Sequence, residues 1–212
     1  MEITWLGHSC FRVKGKERTL ITDPYQEEIG YSWATPAANI VTVSHSHPGH
    51  SNSAGVNGGP RVINRPGEYE VGGVFLIGLG NYHDSEQGAS RGKNISYLFV
   101  IDDIKLCHLG DIGHVPSARQ VEEFSEVDIL IIPVGGISTI DGKAAADIAK
   151  LLNPKIVVPM HYRTEVVTWL EPLDRFTTQL GLKDIIPQPK LSISKANIPL
   201  ETKTVILDRS SS

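Results

Sequence analysis

The stretch Ile40-Val41-Thr42-Val43-Ser44-His45-Ser46-His47-Pro48-Gly49-His50 decides how this chain is read. Its opening residues form a β-branched run of the kind that packs inside a sheet. Three of the chain's eight histidines then fall between positions 45 and 50. Side chains alternate along extended backbone, so an H-x-H pair at a strand end sets two imidazoles on one side. Neutral imidazole is a common transition-metal ligand. An isolated pair reads equally well as a polar surface loop. A third histidine directly behind a buried-type strand favours metal.

A metal site needs ligands from several segments, and the rest of the chain offers them in the same context. His83 follows the strand expected at Val74–Ile77. Asp111 follows one at Lys105–Leu109, and His161 follows one at Ile156–Pro159. Further strands are expected at Ile3–Leu6, Thr19–Thr22, Ile40–Val43, Ile95–Ile101, Ile129–Val134 and Val205–Leu207. The stretches 51–60 and 82–93 read as loops, 65–69 as a rim loop, and 209–212 as a frayed tail.

Helix signals lie in the second half. Ser117 with Gln120 makes a capping box ahead of a face of Ala118, Val121 and Phe124. Ala145, Ile148, Ala149 and Leu152 form a stripe that Asn153-Pro154 ends. Pro172 suits a first helical position before Leu173, Phe176 and Leu180, with Gly181 as the stop. Strands early and strand–helix alternation later predict a layered α/β protein.

Composition narrows the function classes. The 212 residues are 40% hydrophobic and 21% charged, with a net charge of −4, and no linker or repeat divides them. One domain over 1–212 is expected, and global disorder is excluded. The acidic balance speaks against a general nucleic-acid binder. Cys10 and Cys107 sit among apolar neighbours and read as buried thiols, since two cysteines make no disulfide framework. The first residues lack the basic start of a secretory signal. The longest apolar stretch, Ile129–Ile140, is too short to span a membrane. A cytoplasmic protein without membrane contact is expected; assembly into a homo-oligomer stays open.

The order H-x-H-x-x-H, then His83, Gly110-Asp111 and a late His161 resembles the metallo-β-lactamase superfamily. The similarity is closest to its small metal-dependent hydrolase branch, near the ascorbate-6-phosphate lactonase group. Trp5-Leu6-Gly7-His8-Ser9, Ile21-Thr22-Asp23-Pro24, Pro133-Val134-Gly135-Gly136 and Pro159-Met160-His161-Tyr162 carry it through nearly the whole chain. The resemblance implies a four-layer αβ/βα sandwich with the metal site at one edge between the sheets. It implies a first metal on His45, His47 and His83, a second on His50 and His161, Asp111 bridging both, and Asp23 orienting a ligand histidine.

One residue departs from the pattern. The resembling family reads H-x-H-x-D-H, and this chain has Gly49 at the aspartate position. The implied second site loses a carboxylate, so one ion is expected to bind firmly and the second weakly or not at all. Asp84 and Glu68 are candidates for a compensating carboxylate. His8 reads equally as a pocket residue or a structural one, and His108 as a satisfied core histidine.

The implied chemistry is metal-assisted hydrolysis of a small ester, lactone, amide or phosphodiester. Asp111 would hold the attacking hydroxide or take its proton, and His114 would serve as acid for the leaving group. Zinc suits the histidine-rich first site best, with manganese, iron and nickel also compatible. The alternative is a non-catalytic, metal-stabilised binding or regulatory protein that keeps the pocket.

Overall fold

The computed structural model describes residues 1–210. Two sheets face each other. The first has six strands: β1 (Glu2–Gly7), β2 (Cys10–Lys14), β3 (Thr19–Thr22), β4 (Ile40–Thr42), β5 (Arg61–Ile63) and β12 (Leu191–Ser192), in the order β12-β1-β2-β3-β4-β5. The second has seven: β6 (Gly67–Val71), β7 (Val74–Tyr82), β8 (Lys93–Ile101), β9 (Ile104–His108), β10 (Ile129–Pro133), β11 (Ile156–Met160) and β13 (Lys203–Thr204), in the order β13-β11-β10-β9-β8-β7-β6. Each sheet is antiparallel on one side and parallel on the other. β3, β4 and β5 run parallel in the first, and β9, β10, β11 and β13 in the second.

Strand alternation assigns the layers. Ile3, Trp5, Phe11, Val13, Leu20 and Ile40 join the main core with Leu76, Tyr97, Phe99 and Leu106 of the second sheet. Their neighbours Leu6, Cys10, Ile21 and Val41 face the other way, into a second cluster with Tyr25, Tyr31, Val167 and Leu170. The outer cover of the first sheet is therefore loop segments and short 3-10 turns rather than long helices. The outer face of the second sheet carries α2 (Gly142–Leu152), packed in turn on α3 (Asp174–Gln179). This is the expected layered sandwich. β10 is buried at every position, as a parallel strand covered on both faces must be.

Two of the three helix signals work as read; in the third, Pro172 stands ahead of the N-cap Leu173 rather than at the first helical position of α3. α1 (Ala118–Glu123) carries the Ser117–Gln120 capping box, and Phe124 is fully buried, although Ala118 is exposed. α2 is capped by Asp141, which the sequence reading did not single out, and its buried stripe includes Ala145, Ile148, Ala149 and Leu152. Burying a side chain such as Ile148 stabilises by roughly 1.5–3 kcal/mol.

Four short strands escape sequence reading: β2, β5, β6 and β12. The expected rim loop at 65–69 runs into β6, and the strand expected at Val205–Leu207 pairs instead at Lys203–Thr204. The tail is tied down as far as it is described, since Ser210 donates its N–H to Trp5 O at 2.8 Å and Arg209 lies over the Tyr31 ring. The last two positions of the tail reading, 211 and 212, lie outside the described residues. Both cysteines are buried and free. Among the described residues, no helix is long and apolar enough to cross a membrane.

Candidate metal centre

Six polar residues sit one to three positions beyond the carboxyl end of a strand: His8 after β1, Asp23 after β3, His45 after β4, His83 after β7, Asp111 after β9 and His161 after β11. Strand carboxyl ends are where open α/β sheets gather ligand groups. The packing of the two sheets brings these ends together. His8, Asp23 and His161 hold left-handed backbones, with φ of 52°, 39° and 52°. Such conformations cost roughly 1–3 kcal/mol each in a non-glycine residue and gather at functional sites.

Asp111 is the focus. Its Oδ2 lies 3.1 Å from His161 Nε2, 3.2 Å from His50 Nε2, 3.5 Å from His83 Nε2 and 3.9 Å from His45 Nε2. Its Oδ1 accepts from Ser9 Oγ at 3.3 Å, and its N–H donates to Asn94 Oδ1 at 3.0 Å. Tetrahedral coordination at about 2.0–2.1 Å sets neighbouring ligand atoms about 3.3 Å apart, which is the spacing of this cluster. Ligand atoms converge in three overlapping groups: His45, His47 and His83; His45, His50 and Asp111; and His8, His50 and His161.

Two further observations fit a divalent cation. His45 Nε2, one of the nitrogens that converge on Asp111, is buried without a hydrogen-bond partner, which is costly unless something else occupies that atom. Burial also holds His8, His45, His47 and His83 below the ordinary histidine range, with His45 at about 3. They are therefore neutral at pH 7, the form that binds metal.

His50 goes the other way. Burial would lower it, but the Asp111 and Asp23 carboxylates override that and raise it to about 10. A metal ion taken up through His50 would therefore have to displace a proton from it. Asp111 is held well below the usual carboxylate range: burial opposes this, and His161 and His50 more than compensate.

Asp23 supports two of the histidines. Fully buried, it accepts from His50 Nδ1 at 3.0 Å, from Ser44 N–H at 2.8 Å and from Ser44 Oγ at 2.5 Å. Ser44 Oγ in turn lies 2.9 Å from His45 Nδ1. Partners of this kind set the tautomer and aim of a ligand. The sequence pointed to Asp23 but not to Ser44, Ser9 or Asn94, whose residue types carry no metal signal.

The pH dependence of the metal-free protein follows. The depressed His8, His45, His47, His83 and His108 bind more protons unfolded than folded. Their contribution is present above the ordinary value of 6.5 and is lost as pH falls below it. Asp23 and Asp111, both depressed, lose theirs in more acid solution. The raised His50 contributes fully below 6.5 and loses that as pH rises through about 10. Chelator-treated protein should melt highest near neutrality and lower on both sides. A melting temperature that stays flat between pH 4.5 and 7 would contradict this assignment.

Several expectations are corrected. His114 does not join the cluster. Its Nε2 accepts from Tyr82 N–H at 3.4 Å and its Nδ1 pairs with Val115 O at 3.0 Å, so both ring nitrogens are engaged with backbone. In this arrangement His114 contacts backbone rather than the cluster. Asp84 cannot replace the missing carboxylate, because its oxygens accept the N–H groups of Glu86, Gly88, Ser90 and Arg91. Those bonds, Arg91's first, lower it to about 2. Glu68 points to solvent on β6. His108 is the satisfied core histidine expected, bonded to Ser9 O and Gly110 N–H. Gly135 is a close approach, since a Cβ there would lie 2.0 Å from the His161 carbonyl oxygen.

Beside the cluster opens a cavity of about 660 Å³, whose lining includes His45, His47, Tyr82, Arg91, Lys93 and Asn94. Asp84, by gripping the 86–91 loop, holds Arg91 at its rim, where Arg91 Nη2 also donates to Ile137 O at 2.7 Å.

Comparison with known proteins agrees with this arrangement. The profile of the family described as Beta-lactamase superfamily domain matches residues 2–161. A Thermotoga maritima crystal structure, described as a Zn-dependent hydrolase of the metallo-β-lactamase superfamily, is 39% identical with a TM-score of 0.81, covering 97% of each chain. A UPF0173 protein of Pyrococcus abyssi is 30% identical over 77% of this chain and 84% of its own length. A UPF0173 metal-dependent hydrolase of Methanosarcina mazei is 29% identical over 91% and 98%. With its strand-end histidines gathered on one buried aspartate, the chain belongs to the metallo-β-lactamase superfamily, in the small UPF0173 branch.

Proposed function

We propose that the chain is a zinc-dependent hydrolase of a small ester, lactone, amide or phosphodiester that bears an anionic group. The observation that carries this reading is the convergence of four imidazole nitrogens on Asp111 Oδ2 at the edge of an accessible cavity. The imidazole-rich donor set suits zinc over manganese, which favours carboxylate and water ligands. The named activity of the UPF0173 relatives agrees with it.

When bound, a divalent ion lowers the pKa of a coordinated water from 15.7 toward about 7 and polarises the scissile carbonyl or phosphoryl oxygen. The chain's own residues do the rest. His45, His47 and His83 with Asp111 form the first centre; His50 and His161 with the shared Asp111 belong to the second. Asp23 aims His50 directly and His45 through Ser44. At the cavity rim the exposed Arg91 and Lys93 present cations to an anionic substituent. The cavity lies within the roughly 300–1,000 Å³ range of small-molecule sites, and nucleic acid is no part of the proposal.

The test uses zinc-loaded protein on lactone, ester, amide and phosphodiester substrates, each with and without an appended carboxylate. Turnover that falls at least ~100-fold in His45→Ala is expected, because even an orienting partner of a ligand is worth 10–100-fold. Equal inertness of both proteins on every substrate would replace the hydrolase by a metal-stabilised binding protein.

A further inference from the structure

We propose that His8 is a ligand of the second metal ion, occupying in this chain the place that an aspartate at position 49 would otherwise fill. This rests on the metal-centre reading above and adds to it a ligand from the carboxyl end of β1.

The geometry at Gly49 carries the inference. A Cβ built there would lie 3.1 Å from His8 Nε2, 3.1 Å from Ile29 Cδ1 and 3.2 Å from His8 Cδ2. Any side chain at 49 would thus start in tight contact with the His8 imidazole and with Ile29. Glycine and His8 are complementary occupants.

The ring is also where a ligand must be. His8, His50 and His161 present nitrogens within 4.8 Å of one another, and all three residues are buried. The His8 ring centroid lies 4.2 Å from that of His161 and 5.0 Å from that of His50. Its Nδ1 is buried without a partner. A ring kept only for packing would not carry an unpaired polar atom into the interior.

The backbone holds this aim at some expense. His8 keeps a φ of 52°. Its carbonyl accepts from Trp5 Nε1 at 3.0 Å and from the His161 N–H at 3.2 Å. The second bond couples His8 to another ligand of the same centre.

With His8 included, the two centres become alike: three imidazoles each, sharing Asp111. The second centre then has one fewer negative ligand than an aspartate would provide. It should favour zinc over manganese more strongly than a carboxylate-bearing site.

The experiment titrates metal-free full-length chain with Zn²⁺ by calorimetry and counts retained zinc by elemental analysis. His8→Asn is the variant of choice, because asparagine tolerates the left-handed backbone; His8→Gly serves the same purpose if asparagine disturbs folding. Circular dichroism verifies the fold of each. Wild type should bind two zinc ions per chain. The His8 variants should bind one, with the second-site affinity lowered at least ~10–100-fold. His8→Asn combined with Gly49→Asp should regain the second ion.

A folded His8 variant that keeps two ions at wild-type affinity overturns the proposal. So does a wild type that takes up one ion only; either result leaves the His45, His47 and His83 centre standing. A double variant that stays at one ion overturns the exchange of roles between positions 8 and 49. A wild type that binds no zinc overturns this proposal and the hydrolase reading together.

Discussion

Asp111→Asn should weaken zinc binding at both centres at once, by more than ~100-fold each. Asp111 Oδ2 faces Nε2 of His45, His50, His83 and His161, and the residue is 2% exposed. It is the negative charge that both groups of imidazoles share. Asparagine keeps the shape and can keep the hydrogen bond to Ser9, but removes the charge. Losing an orienting partner alone costs 10–100-fold in affinity, so losing the shared ligand must cost more. The measurement is zinc titration against a competing chelator. Affinities within about three-fold of wild type at either centre would show that the ion at that centre does not use Asp111. The same variant carries a second readout: His50 would keep only Asp23 as a carboxylate partner, so its pKa should fall from about 10, followed by the imidazole resonances of the metal-free protein.

Asp23→Ala should be the most damaging change to the metal-free fold near the site. Asp23 is fully buried and accepts from Ser44 N–H, Ser44 Oγ and His50 Nδ1. Alanine leaves those donors without a partner and strips the His50 cation of one of its two carboxylates. Breaking a buried pair from one side costs about 3–5 kcal/mol. For a chain of this size that is a fall in melting temperature on the order of 6–20 °C. Zinc affinity should drop ~10–100-fold as His50 and His45 lose their aim. Thermal melts of chelated protein separate the two effects. A melting temperature within about 2 °C of wild type would mean that water replaces the carboxylate.

Much of the fold was legible because its longer strands carry their own signal. Ile129–Pro133 and Ile156–Met160 are continuous apolar runs, and α2 announces its buried stripe and its stop at Asn153-Pro154. The strands that escaped reading are short or defined by a partner. Arg61–Ile63 is a strand because it pairs in parallel with β4. The β1–β2 hairpin turns through a left-handed His8 rather than a recognisable turn sequence. Sheet pairing depends on the neighbouring strand more than on local composition.

The candidate site divides the same way. His45, His47, His83, Asp111 and His161 were visible as ligand-type residues just past strand ends. His114 was singled out only for lying three residues past Asp111, and its ring nitrogens contact backbone rather than the cluster. Asp84 was a plausible carboxylate until its oxygens proved to be holding a loop.

From its sequence alone, then, the chain determined its layered α/β class and the chemical types at its strand ends, since periodicity, capping and ligand chemistry are properties of neighbouring residues. Tertiary structure decided which of those groups meet. Residues 8, 50 and 161 come together only because two sheets pack across a common core and bring their strand ends to one edge, and the space beside Gly49 becomes a place for His8 only once that packing is complete.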